Sequence, residues 1–165
     1  MPRLAILSDT HIPTRADALP AWVRSEIEAA DHAIHAGDFT AAAVLEEVDG
    51  LADGAVTAVS GNMDSGGLGL PETQRLEMAG QTFVVTHGTG PTAGYEDRVR
   101  AIGREQAAAP EPIVVAGHTH AVLDDRDGIR ILNPGSATGA APASETSMMR
   151  ADVTQDGVSV EVLRG

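Results

Sequence analysis

Five short apolar runs recur along the chain, each followed at once by polar residues: Leu4-Ala5-Ile6-Leu7, His32-Ala33-Ile34-His35-Ala36, Ala55-Val56-Thr57-Ala58-Val59, Thr82-Phe83-Val84-Val85-Thr86 and Ile113-Val114-Val115-Ala116. Runs this short, rich in β-branched residues and bounded by Gly or Pro, read as buried strands. Stretches with helical spacing lie between several of them. Residues 21–30 carry Trp22, Val23 and Ile27 behind Pro20, a residue suited to a helix start. Thr40 is placed to cap a helix through Val48. Residues 95–109 carry Val99 and Ile102 and run into Pro110, which stops a helix. Strands alternating with helices predict an α/β fold with parallel pairing.

The pattern changes towards the C-terminus. Residues 121–126 and 128–132 flank Asp127-Gly128, and residues 147–154 and 158–163 flank Asp156-Gly157. Both read as hairpins. A further strand is expected over residues 74–78, before the Ala79-Gly80 turn. Two sheets packed face to face, with helices outside, accommodate both halves. With 165 residues and no linker, repeat or low-complexity tract, the chain reads as one domain over residues 1–165.

Composition narrows the chemistry. Aromatic side chains make up only 2% of the chain, so the core must be built from Ala, Val, Leu and Ile. There is no cysteine, which removes disulfides and thiolate metal sites. Formal charge is −13, and all 11 cationic side chains are Arg. Without Lys there is neither a phosphate-binding P-loop nor a Schiff base. An acidic surface disfavours long nucleic acids, whose phosphates need basic contacts. It does not disfavour metals, which bring their own charge. The N-terminal apolar run is too short for a signal peptide, and no stretch approaches the ~18 apolar residues of a membrane span. A cytoplasmic protein without membrane attachment is expected.

The polar residues that follow the five runs share one character. They are Asp9-Thr10-His11, Gly37-Asp38, Gly61-Asn62-Met63-Asp64, His87-Gly88 and Gly117-His118-Thr119-His120. Each contains a ligand suited to a divalent cation, and successive groups lie roughly 24–31 residues apart, about one strand and crossover. In parallel sheets the carboxyl ends of the strands line one edge, where sites form. Asp9, His11, Asp38, Asn62, His87, His118 and His120 are thus expected to converge. Seven ligands are too many for one tetrahedral zinc and suit two ions sharing a carboxylate, with Asp38 the natural bridge. Mixed imidazole, carboxylate and amide donors fit Mn, Fe, Ni or Zn better than Ca or Cu.

These five groups, in this order, resemble the signature of the calcineurin-like metallophosphoesterases: D-x-H, GD, GN-(H)-(D/E), a His, and GHxH. The His35-Ala36-Gly37-Asp38 form, the Asn133-Pro134-Gly135-Ser136 stretch and the small size resemble the compact YfcE-type phosphodiesterase branch. The resemblance implies a four-layer α-β-β-α sandwich. It also implies two divalent cations per chain, Mn foremost, with Ni, Fe or Zn as alternatives. Asp9, His11, Asp38 and His120 would hold one; Asp38, Asn62, His87 and His118 would hold the other. The implied activity is hydrolysis of a small phosphate ester by in-line attack of a metal-bridging hydroxide, with no side chain as proton donor. The family's His after the Asn is Met63 here, which cannot protonate a leaving group, so esters with activated leaving groups are expected substrates. Homo-oligomers are common in the branch. An alternative is a non-catalytic interaction scaffold, as in the retromer-associated subunit of the same family.

Other features carry less. His35 could orient a ligand from behind, although a strand His is more often simply a satisfied core residue. His32 reads as structural or exposed. Asp64 could steady the Asn62 turn or be a solvated loop carboxylate. Gly66-Gly67-Leu68-Gly69 lacks the context of a dinucleotide site and reads as a mobile loop. No GxSxG elbow is present.

Overall fold

The computed structural model describes residues 1–62, 64, 69–107 and 111–165. Met63, most of the Gly66–Gly69 loop and Pro110 therefore lie outside the described residues. The chain order is β1 (Arg3–Leu7), α1 (Ala21–Ala29), β2 (His32–His35), α2 (Ala42–Leu51), β3 (Val56–Ala58), β4 (Thr73–Met78), β5 (Gln81–Thr86), α3 (Tyr95–Gln106), β6 (Ile113–Val115), β7 (Val122–Asp125), β8 (Ile131–Pro134), β9 (Ser147–Thr154) and β10 (Gly157–Arg164). The strands form two five-stranded sheets, ordered β10-β9-β1-β2-β3 and β4-β5-β6-β8-β7.

Strand alternation sorts the side chains into layers. Leu4 and Ile6 of β1 join Ile34, Phe83, Val85, Val115 and Met149 in an apolar layer between the sheets. The alternate residues Ala5 and Leu7 pack with Val23, Ile27 and Val48 of α1 and α2. On the far face of the second sheet, Val114 and Ile131 pack with Tyr95 and Val99 of α3. The result is the expected α-β-β-α sandwich of two mixed sheets. Each fully buried Leu, Ile or Val contributes about 1.5–3 kcal/mol, so a core nearly free of aromatics still suffices.

The five expected core strands are all present, but they are divided between the sheets. β1, β2 and β3 pair in parallel in the first sheet, while β5 and β6 pair in parallel in the second. The step from Asn62 to His87 therefore crosses from one sheet to the other by way of the antiparallel hairpin β4–β5, with no helix among the described residues between them. Both C-terminal hairpins form, as β7–β8 and β9–β10.

Two helix boundaries differ from expectation. Thr40 does not cap α2: Ala41 occupies that position without a side-chain bond. Thr40 has a left-handed backbone (φ 72°), and its hydroxyl donates to the Ile12 carbonyl at 2.6 Å. Its backbone amide is claimed by Asp64 Oδ1 at 2.7 Å. Helix α3 ends at Gln106, with Ala107 already extended (φ −152°), before Pro110 is reached.

Candidate metal centre

The seven candidate ligands come together at the carboxyl ends of β1, β2, β3, β5 and β6. Ligand atoms of Asp9, His11, Asp38 and His120 lie within 4.8 Å of one another, and so do those of Asp38, His87 and His118. Asp38 belongs to both groups: its Oδ2 is 3.4 Å from His11 Nε2 and 3.1 Å from His87 Nε2. Asn62 joins the second group, with Oδ1 3.0 Å from His87 Nε2 and 3.2 Å from His118 Nδ1. Asp9, His11, Asp38, His87 and His120 are buried, whereas Asn62 is exposed and His118 half-buried. The centre is thus open on the Asn62 side.

Backbone carbonyls fix which imidazole nitrogen faces inwards. His87 Nδ1 donates to Ala36 O at 2.7 Å, His120 Nδ1 to Ala140 O at 2.8 Å, and His118 Nε2 to Gly90 O at 2.8 Å. In each neutral ring the other nitrogen then presents a lone pair to the centre, as a metal-binding His requires. Arg98 supports the Gly90 turn by donating to Gly88 O at 2.9 Å and Pro91 O at 3.0 Å.

The loops that carry these residues are strained in a consistent way. Asp9, His11, Asp38, His118 and His120 all have positive φ, between 45° and 76°. Such conformations are uncommon for non-glycine residues and cluster at functional sites. Packing around them is close. A Cβ on Gly37, itself at φ +103°, would stand 2.7 Å from His87 Nδ1. A Cβ on Gly117 would overlap Ser8 Oγ and stand 2.7 Å from Asp9 Oδ2. Ser136 and Thr138 brace the first loop from behind, donating to the carbonyls of Asp9 and Thr10 at 2.7 Å each. The Asn133–Ser136 stretch thus lies against the centre.

His35 and Asp64 sit behind the ligands. His35 is fully buried, accepts from the Gly37 amide at 3.1 Å, contacts Thr10 Oγ1 at 3.2 Å and stacks on Phe39. Burial pushes its pKa down to about 3, so it is a neutral ring holding the Gly37-Asp38 turn. Asp64 accepts three backbone amides: Asp38 N and Gly61 N at 2.8 Å, and Thr40 N at 2.7 Å. It ties the loop after β2 to the loop after β3. His32 contacts Thr57 Oγ1 at 2.8 Å at the other end of β2. Sequence reasoning missed Tyr95, whose hydroxyl donates to Gly117 O at 2.6 Å; Asn133, singled out only through the family resemblance, donates to the same carbonyl at 3.1 Å. Tyr95 adjoins no ligand in sequence, so no local signal marks it.

The donor set fits divalent cations. Asp9 Oδ1 is buried without a formed hydrogen bond, 3.3 Å from His120 Nε2 and 3.7 Å from His11 Nε2. His11 and His120 point their Nε2 atoms at each other at 3.1 Å. Convergent acceptors packed this way want a positive charge between them. Protons supply part of it. Burial works against the Asp9 charge, yet the facing His11 and His120 rings outweigh it and hold the carboxyl well below the carboxylate range. Burial likewise opposes protonation of His87 and His120, but Asp38 and Asp9 respectively raise both above the ordinary His value.

A pH dependence follows from these directions. Raised His pKa values mean that His87 and His120 keep their protons to a higher pH than ordinary imidazoles, and an incoming cation must displace those protons. Cation affinity should rise as pH climbs from the ordinary His value through the raised ones, with net proton release measurable by calorimetry in buffers of different ionisation heat. The same shifts stabilise the cation-free fold below the ordinary His pKa, and that contribution is lost as pH rises through the raised values. Affinity that stays flat across this range would contradict the assignment.

Comparison with known proteins agrees with this architecture. Residues 3–156 match the calcineurin-like phosphoesterase superfamily domain. A probable metallophosphoesterase of Methanothermobacter thermautotrophicus is 30% identical over 163 residues, covering 98% of this chain and 91% of the relative. Another, from Methanocaldococcus jannaschii, is 37% identical over 137 residues, covering 82% and 68%. Among solved structures, Vps29 of Chaetomium thermophilum superposes with a TM-score of 0.81 at 19% identity, covering 99% of this chain and 98% of that one. The same protein solved in complex with a cyclic peptide gives a TM-score of 0.71 at 17% identity, covering 98% and 95%. On the matched domain and on the identity and coverage of these relatives, this chain belongs to the calcineurin-like phosphoesterase superfamily.

Proposed function

We propose that the protein is a divalent-metal-dependent phosphodiesterase or phosphatase that hydrolyses a small phosphate ester with two cations per chain. The observation that carries this reading is the pair of ligand clusters sharing Asp38. Asp9, His11, Asp38 and His120 would hold one cation, and Asp38, Asn62, His87 and His118 the other. Cations at such a centre supply Lewis acidity, lowering the pKa of a water and neutralising charge on a phosphoryl group.

The chain's own residues supply the rest. Asp9 and Asp38 bring negative charge into a buried wall. His87, His118 and His120 are pre-oriented by the carbonyls of residues 36, 90 and 140, so little rearrangement is needed on binding. The exposed Asn62 leaves the centre accessible to a small ester from one side. Purified protein supplied with Mn should bind two ions per chain and turn over bis(p-nitrophenyl) phosphate. An absence of transition-metal binding in calorimetry and elemental analysis would overturn the reading.

A second reading, a protein-interaction scaffold of the same fold, draws support from the likeness to Vps29 and from the peptide complex of that protein. The same experiment separates the two, because a scaffold retains its fold with no turnover in the presence of bound Mn.

A further inference from the structure

A cleft of about 480 Å³ opens directly onto the second ligand cluster, with Asn62 and His87 at its inner end. Its walls are the start of β4, the end of β5 and the last turns of α3. The lining is polar: Thr73, Thr86 and Thr89 provide hydroxyls, and Ile102 is the large apolar side chain among the described residues. Two exposed carboxylates, Glu72 just before β4 and Glu105 near the end of α3, are among its lining residues.

Three substrate classes fit this lining poorly. A nucleobase or other aryl group gains from stacking on a Phe, Tyr or Trp face, and none of these lines the cleft among the described residues. A second phosphate or polyphosphate needs cations. The guanidinium of Arg75 reaches the rim, 3.5 Å from Gln106 O, but is paired with Glu77 at 2.6 Å. A long apolar chain would find one Ile and a row of hydroxyls. An alcohol carrying an ammonium group finds both carboxylates and hydroxyls.

Charge at the other end of the centre points the same way. Arg15 donates to Ala141 O at 2.9 Å, and the adjoining Ala140 O receives the His120 bond, so a guanidinium stands beside the first ligand cluster. The site therefore has a guanidinium near its His120 side and carboxylates beyond Asn62. That polarity matches a zwitterion whose phosphodiester anion and ammonium cation lie a few bonds apart.

The geometry points to a phosphodiester with an ammonium-bearing alcohol arm as the substrate class, the arm lying in the cleft between Glu72 and Glu105. This rests on the phosphoesterase reading above. The test compares p-nitrophenyl phosphorylcholine with its carbon isostere, p-nitrophenyl 3,3-dimethylbutyl phosphate, on Mn-loaded protein. In each hydrolysis an oxygen of water bonds to phosphorus, the bond to the p-nitrophenyl oxygen breaks, and p-nitrophenolate and the alkyl phosphate are released. In parallel, phosphorylcholine and 3,3-dimethylbutyl phosphate are titrated calorimetrically into the same protein. The choline compounds should be preferred about fivefold in kcat/KM and in affinity, the effect of one partly exposed charge contact. In the Glu72→Gln/Glu105→Gln protein both preferences should fall to about one. Equal handling of the isosteres, or a preference that survives in the double variant, would overturn the inference. Failure to turn over any diester would instead overturn the phosphoesterase reading, and the titrations would still decide what the cleft prefers.

Discussion

Asp38→Asn is expected to reduce phosphoesterase turnover by at least about 100-fold while leaving the fold intact. The magnitude follows from position: Asp38 is the one residue common to both ligand clusters, so its loss weakens both halves of a unit whose parts act together. The fold should persist for a specific reason. Asp38 has φ 60°, a conformation that Asn adopts more readily than most residues. The amide is isosteric with the carboxylate, and the Asp38 backbone amide keeps its bond to Asp64. Circular dichroism should match the parent protein, while calorimetry should show weakened uptake of Mn at both positions. Near-normal turnover in this variant would show that Asp38 is not the shared ligand.

Asp64→Ala should act differently, on stability and cation affinity together. Removing the carboxylate strands the backbone amides of Asp38, Thr40 and Gly61, two of which belong to the strained turn after β2. Bonds to an ionised acceptor contribute about 1.5–3 kcal/mol each, and partial exposure lets water replace some of that. A loss of about 2–3 kcal/mol in denaturant unfolding is expected. Cation affinity should drop about 10- to 100-fold, because Asp38 is no longer held in place. Asp64→Asn, which retains one side-chain acceptor, should fall between. A stable Asp64→Ala protein with unchanged Mn binding would reduce Asp64 to a solvated loop residue.

The contrast between these two residues shows what sequence could reveal. Asp38 was legible because it follows an apolar run, a local pattern repeated at each of the five groups, and adjoins a glycine. Such patterns fix which residues stand at strand ends, and the four-layer sandwich brings those ends together. The role of Asp64 was half legible: it follows Asn62 closely, but its bonds to Asp38 and Thr40 span 26 and 24 residues and depend on how two loops meet. Tyr95 was read only as the first residue of a helical stretch, because nothing near it in sequence announces a bond to the Gly117 carbonyl 22 residues away. Thr40 misled for the same reason, since the local signal of a cap lost to a tertiary demand on its amide. The division of the five strands between two sheets was also hidden. A hairpin that changes sheets and a helix that returns to the same sheet occupy similar lengths of chain, as the path from Asn62 to His87 shows.

That division gives the centre a mechanical meaning. Asp9, His11, Asp38 and Asn62 hang from the first sheet, and His87, His118 and His120 from the second. The ligand clusters therefore straddle the seam along which the sandwich would come apart. Anything that grips both sets of side chains is a clasp on that seam, and its occupancy and the parting of the sheets are linked equilibria. Occupancy should slow hydrogen exchange most at the inner ends of β1, β2, β5 and β6, well beyond the loops that make contact. In a cell, supply of the cation would then set how long the folded chain endures as well as whether it acts.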